Sequence, residues 1–267
     1  MGDTYFRILD ESPAYGRYAA AAATGGPWDA GLQHGGPPSA LLVRAAERVA
    51  ADAGRPDLIA TRLAVEFVGP VPVDEIVVAA RTVRAARTAM LVECTVTAGE
   101  RACLQGRVWL VRSLDTSEVA PPVPPPGPAP RDLGELHAHF PYGETIDWQA
   151  VSASMHVSGP GSTWARPMFS LVDGESLSGL QRVALVGDSA SGISSELDWD
   201  EWSFVNVDLD VHLARPIDGD WVLIDAVTTL GTHGAALARS TVSDLRGQVG
   251  CTAQTLVLSP RNSLADR

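Results

Sequence analysis

Two copies of one α+β unit, each a long helix wrapped by an antiparallel sheet, are predicted by three features of the sequence. Residues 65–82 (VEFVGPVPVDEIVVAART) align without a gap on residues 211–228 (VHLARPIDGDWVLIDAVT), with Val65 on Val211, Pro70 on Pro216, Asp74 on Asp220, Ala80 on Ala226 and Thr82 on Thr228. After a two-residue slip the match resumes between residues 99–111 and 247–258, which sets Cys103 against Cys251. Between the copies lies APPVPPPGPAP, residues 120–130. Proline lacks an amide donor and joins neither helix nor ladder, so this stretch reads as an extended surface linker. Self-similarity of this kind marks a fused supersecondary unit. It gives residues 1–119 as the first copy, 120–135 as linker and 136–267 as the second.

The elements follow from punctuation and period. Pro37 and Pro38 suit a first helical turn, and the helix they open runs to about Gly54. Its stripe of Leu42, Ala45, Ala46, Val49 and Ala53 faces a core, whereas Arg44, Glu47 and Arg48 form a polar side. Alternating valine-rich segments at 59–68, 75–84, 89–97 and 102–112, divided by turns such as Gly69-Pro70 and Gly99-Glu100, predict a meander. The second copy opens with strand-like residues 152–158. It continues with a helix from about Gly174 to Asp188 and strands near 202–214, 220–230, 234–244 and 248–259. Placed side by side, two such units make a continuous sheet with two helices packed on it, a double hotdog.

Composition bounds the function. The chain has 267 residues, 45% hydrophobic and 19% charged, enough for a large core. Its apolar runs are strand-length, and MGDTYFRILDESPAYGRYAA lacks a basic start followed by an apolar stretch. No membrane partner and a cytoplasmic address are therefore expected. A net charge of −12 with no run of arginines excludes nucleic acid as the expected partner. All 20 basic residues are arginine, so Schiff-base chemistry, a P-loop lysine and a lysine base are ruled out. Cys94, Cys103 and Cys251 stand apart without metal-ligand spacing; buried thiols are expected, with no metal and no cofactor. Sheet edges and helix faces of such units favour a homo-oligomer.

One position breaks the repeat: Gly106 of the first copy falls where the second has Gln254. A polar amide in an apolar strand asks for a partner or a task. Together with WDAGLQHGGPPSALLVRAAE (28–47), ALVGDSASGIS (184–194), FVNVDLDVHLARP (204–216) and GQVGCTAQTLVL (247–258), the sequence resembles the TesB-like acyl-CoA thioesterases, with two fused hotdog units. The resemblance implies acyl-CoA as substrate and a catalytic set in the second copy of Asp188, Asn206 and Gln254. Asn206 departs from the threonine or serine of TesB, and an amide donates without relaying a proton. Hydrolysis of a thioester needs an activated water, a base and donors for the oxyanion. Asp188 is the expected base, Asn206 and Gln254 the groups that fix the water, and the Gly35-Gly36 backbone at the helix start a candidate oxyanion donor. His34 joins Gly35 and Gly36 as an expected substrate-binding residue at the helix entry.

The same residues admit other readings. GDSASG is similar to the Gly-Asp-Ser block of SGNH hydrolases, but no DxxH follows and no GxSxG elbow occurs, which argues against Ser189 as nucleophile. A hydratase would draw on Asp29 and His34, and a non-catalytic acyl-CoA-binding protein would not need Gln254 in one copy alone. Coenzyme A also carries phosphates, for which Arg44, Arg166 and Arg215 stand nearest the motifs in sequence.

Overall fold

The computed structural model describes residues 3–121, 123–130, 138–152 and 158–261. In the first copy, strands β1 (Thr4–Ser12) and β2 (Tyr15–Ala20) form a hairpin ahead of helix α1 (Gly36–Asp52). The meander follows as β3 (Leu58–Phe67), β4 (Glu75–Ala85), β5 (Ala89–Ala98) and β6 (Arg101–Arg112). The second copy has β7 (Ile146–Ser152), β8 (Gly161–Pro167), a short β9 (Ser170–Val172), α2 (Gly179–Gly187) and a single turn α3 (Ala190–Ile193). It closes with β10 (Trp202–Asn206), β11 (Asp208–Leu213), β12 (Val222–Leu230), β13 (Ala235–Asp244) and β14 (Gly247–Pro260). Of the expected strand at 152–158, residues 153–157 lie outside the described residues.

All the strands join one sheet, in the order β7-β8-β12-β13-β14-β11-β3-β6-β5-β4-β2-β1-β9, with β10 also paired to β14. The repeat is visible in this order. The equivalent strands β3 and β11 pair with each other at the centre, antiparallel, with Leu209 opposite Val65 and Val211 opposite Leu63. Outward from them, β6-β5-β4 on one side answers β14-β13-β12 on the other, and the hairpin β2-β1 answers β8-β7. The double hotdog predicted from sequence is the fold observed. One strand crosses over: β9 belongs to the second copy yet lies parallel to β1 at the far edge of the first.

Helix α1 lies on the first meander, where Leu41, Leu42 and Val43 are fully buried. Each such side chain contributes ~1.5–3 kcal/mol of burial. Gly106 is explained by this packing, because a Cβ there would stand 2.8 Å from Leu42 Cδ1. The helix presses into the first copy where the second keeps room for Gln254.

Four expectations need correction. Arg44 lies buried at 2% exposure, since the polar side of α1 faces α2 and the β1-β2 hairpin instead of water. Helix α2 begins at Gly179, five residues after the expected start, because Ser178 caps it by accepting from the Gln181 N–H. Cys251 is exposed where a buried thiol was expected; it faces the outer side of β14, whereas Cys94 and Cys103 are buried. The proline-rich stretch is more than a surface linker: Pro128 O accepts from Nε1 of fully buried Trp164 at 2.9 Å, and Val123 packs over Gly247.

Candidate active site

The end of α2 meets the start of α1. Asp188 is the C-terminal cap of α2, at the break before α3, and its side chain is 4% exposed. Gly36 begins α1, with the position a Cβ would take only 2.2 Å from Leu185 O in the last turn of α2. At Gly35 a Cβ would lie 2.8 Å from Asp188 Oδ2 and 2.7 Å from Phe67. Glycine at both positions lets the two helix ends touch.

Three of the expected residues converge on the Asp188 carboxylate and its backbone. Asn206, at the end of β10, donates Nδ2–H to Oδ1 at 2.8 Å and also to Asp208 O at 3.1 Å. Gln254, fully buried on β14, donates Nε2–H to Asp188 O at 3.1 Å and to Oδ1 at 3.2 Å, while its Oε1 has no partner among the described residues. His34 places Nδ1 3.0 Å from Oδ2 and 3.2 Å from the Gly36 amide nitrogen. Its loop is fixed by backbone bonds from His34 N–H to Thr24 O and from Gln33 N–H to Val71 O, both 2.8 Å.

A neutral imidazole cannot donate to the carboxylate and accept from Gly36 through the same nitrogen. The negative carboxylate favours the tautomer with the proton on Nδ1, in competition with the Gly36 N–H, which points at the same nitrogen. Burial lowers the His34 pKa below its ordinary value, partly opposed by Asp188, and so keeps the ring neutral. The unfolded chain therefore binds a proton that the folded chain resists. Stability contributed by neutral His34 is complete above pH ~6.5 and falls as pH drops below it, by at most ~1.4 kcal/mol per pH unit. Urea unfolding at pH 7 and pH 5.5 should show this loss, and His34→Gln should reduce it.

Several site residues escaped the sequence reading. Tyr142 stacks on His34 with ring centres 4.1 Å apart and donates its hydroxyl to Leu185 O at 2.6 Å, and burial pushes its pKa well above the usual value. Trp28, Trp199 and Phe204 form an aromatic cluster, Trp28 on Trp199 at 5.2 Å and both edge-on to Phe204 at 5.0 and 4.8 Å. These rings, with Phe67, Phe140, His34, Asp188 and Asn206, line a cleft of ≈ 220 Å³. The signal for them was weak, since a lone aromatic in a segment such as FVN or PYG is more often core.

The three arginines considered for phosphate already serve carboxylates: Arg44 holds Glu11 and Glu175, Arg166 holds Asp147, and Arg215 holds Asp244. No cluster able to hold a metal occurs among the described residues. Nor is any described helix long and apolar enough to cross a membrane.

The chain matches the acyl-CoA thioesterase N-terminal domain model over residues 24–111 and the acyl-CoA thioesterase C-terminal domain model over residues 117–258. Among curated proteins nothing matches. Solved structures share the fold. A hot dog fold protein of unknown function from Alicyclobacillus acidocaldarius superposes with a TM-score of 0.74 at 16% identity, covering 94% of this chain and 95% of that one. The tesB protein of Mycobacterium avium subs paratuberculosis gives 0.71 at 16%, covering 95% and 96%. Acyl-CoA thioesterase II TesB2 of Mycobacterium marinum gives 0.71 at 14%, covering 95% and 94%. With both domain models matched in order along most of its length, the chain belongs to the acyl-CoA thioesterase family and is a thioester hydrolase.

Proposed function

We propose that the protein hydrolyses an acyl-CoA thioester by direct attack of water, with Asp188 as general base. The observation that carries this reading is a buried carboxylate held by three neutral N–H donors, from Asn206, Gln254 and His34, with no arginine paired to it among the described residues. A carboxylate needed only for structure is normally buried beside an arginine, as Asp244 is beside Arg215. Neutral donors orient Asp188 without neutralising it. One lone pair on the carboxylate remains for a water.

Asp188 takes a proton from the water as its oxygen bonds to the thioester carbon, and the carbonyl oxygen becomes an oxyanion stabilised by the positive end of α1. Gln254 Oε1, buried and unpaired, accepts the second hydrogen of the water and aims its lone pair. The intermediate collapses, the C–S bond breaks, and Asp188 returns its proton to the departing thiolate, giving free acid and CoA. No acyl-enzyme forms. Asn206 serves by clamping Asp188, a task for which an amide suffices where a proton relay would need a hydroxyl.

Coenzyme A phosphates need cations at the rim. Arg101 donates to Pro70 O at 3.3 Å, and Arg261 stands 5.3 Å over the Trp28 ring; both neighbours line the cleft, and neither arginine is in an ion pair among the described residues. They are the proposed phosphate contacts. Residues 1–119 and 136–267 are proposed as the two fused units, and a homo-oligomer as the assembly.

Free-thiol release from acyl-CoAs tests the activity. Ser189→Ala should retain at least about a third of wild-type turnover, because that hydroxyl has no base as a hydrogen-bond partner among the described residues. Loss of turnover in this variant would point instead to a serine acyl-enzyme.

A further inference from the structure

We infer that Phe204 sets the length of acyl group the cleft accepts, by closing a path that runs from the catalytic carboxylate along the β10-β14 pair. This inference rests on the thioesterase reading above and assigns its substrate class: acyl groups of about six to eight carbons or a single ring.

The path follows from strand geometry. Side chains two apart on a strand share a face and stand ~7 Å apart. On β10, Phe204 and Asn206 are inward while Val205 is exposed; on β14, Gln254, Leu256 and Leu258 are the inward series. The register sets Asn206 opposite Leu256 and Phe204 opposite Leu258. Gln254 and Asn206 touch Asp188, and one strand step beyond the carboxylate the β10-β14 pair itself presents Phe204, Leu256 and Leu258. Small Ala236 and Ala238 lie beside Leu256 and Gln254 on β13 and pack with Phe204 and Leu256 under this path.

Phe204 stands across it. Only 5% exposed, it is wedged edge-on against Trp28 and Trp199, and it lines the ≈ 220 Å³ cleft together with Asp188 and Asn206. Beyond it lies a second void of ≈ 10 Å³, with Leu197, Leu230, Leu256 and Leu258 on one part of its wall and Ser195, Glu196 and Thr228 on the rest, and with Phe204 and Ser191 between it and the cleft. Phe204 and Ser191 are the walls common to both spaces. The larger space is of the scale that holds a small compact group, since a cavity of about 150 Å³ accommodates benzene. Removing the phenyl ring would join the two spaces and extend the path among leucines.

The test uses S-alkyl-CoA thioethers from ethyl to dodecyl, which bind but cannot be hydrolysed, so it is independent of whether Asp188 is the base. For the wild type, affinity should rise roughly fourfold per methylene up to about hexyl or octyl, and then level or fall. In Phe204→Ala the rise should continue to decyl or dodecyl. Phe204→Leu, which keeps an apolar plug and tests the case in which alanine unfolds the site, should move the break by two to four carbons. A wild-type affinity that climbs steadily to dodecyl, a break unmoved in both variants, or no binding by any chain length would each overturn the inference. Thiol release from hexanoyl-CoA, measured in parallel, reports separately on the thioesterase reading.

Discussion

Substituting Asp188 by alanine is expected to lower kcat for acyl-CoA hydrolysis by ~10²–10⁴, the range for loss of a general base. KM should change little, because the Trp28-Trp199-Phe204 cluster and the cleft rim stay in place. Alanine also deprives Gln254 Nε2 and Asn206 Nδ2 of their Oδ1 acceptor. Some instability is therefore expected, and a urea titration should accompany the kinetics. Asp188→Asn is the closer control: its shape and the Oδ1 acceptor are retained, but an amide cannot take a proton at neutral pH, and its NH2 group in place of Oδ2 offers no lone pair to His34 or to water. Turnover within tenfold of wild type in both variants would remove Asp188 from the mechanism and direct attention to His34.

Arg44→Met is expected to destabilise the fold by ~2–3 kcal/mol, the largest loss foreseen for a residue away from the cleft. Arg44 donates to Glu11 at 2.9 and 3.2 Å, to Glu175 at 2.7 and 2.6 Å, and to the Tyr18 hydroxyl at 3.1 Å, so one guanidinium ties α1 to the β1-β2 hairpin and to the segment entering α2. The figure is set below the full cost of breaking a buried pair because Glu175 is 44% exposed and recovers solvation once released. Burial pulls the Arg44 pKa down, but the Glu175 and Glu11 bonds more than reverse this. Burial alone would raise the Glu11 carboxyl, yet Arg44 and Tyr18 hold it below the ordinary range. The sign follows from that depression. Stability from the pair is complete above the ordinary carboxylate pKa and is lost as pH falls through the lower folded value. Urea midpoints at pH 7 and pH 3.5 should thus differ less in Arg44→Met than in the wild type.

The meander and α1 were legible because local signals agreed with the tertiary outcome. Prolines at the first turn and a core stripe gave α1 to within two residues, and alternation with turn glycines gave β3 to β6. The hairpin β1-β2 went unread, since TYFRILDES alternates imperfectly and its partner strands β4 and β9 are distant in sequence. The polar side of α1 misled for the opposite reason. Arg44 looks like a solvent residue until two carboxylates from other elements surround it.

At the site, Gln254 stood out because the second copy departs from the first there, and Asp188 and Asn206 followed from the resemblance to the TesB-like thioesterases. His34 was read as an entry residue, and its place 3.0 Å from Asp188 depends on the ends of α1 and α2 meeting. The repeat, the class of fold and the copy that carries the polar set were determined by sequence alone, since hydrophobic period, turn residues and internal symmetry act locally or by simple correspondence. The tautomer of His34, the stacking of Tyr142, the burial of Arg44 and the closure of the acyl path by Phe204 were decided only by tertiary structure. Each depends on distances between groups far apart in the chain, and those distances are fixed only when the central β3-β11 pairing and the α1-α2 contact bring the two copies together.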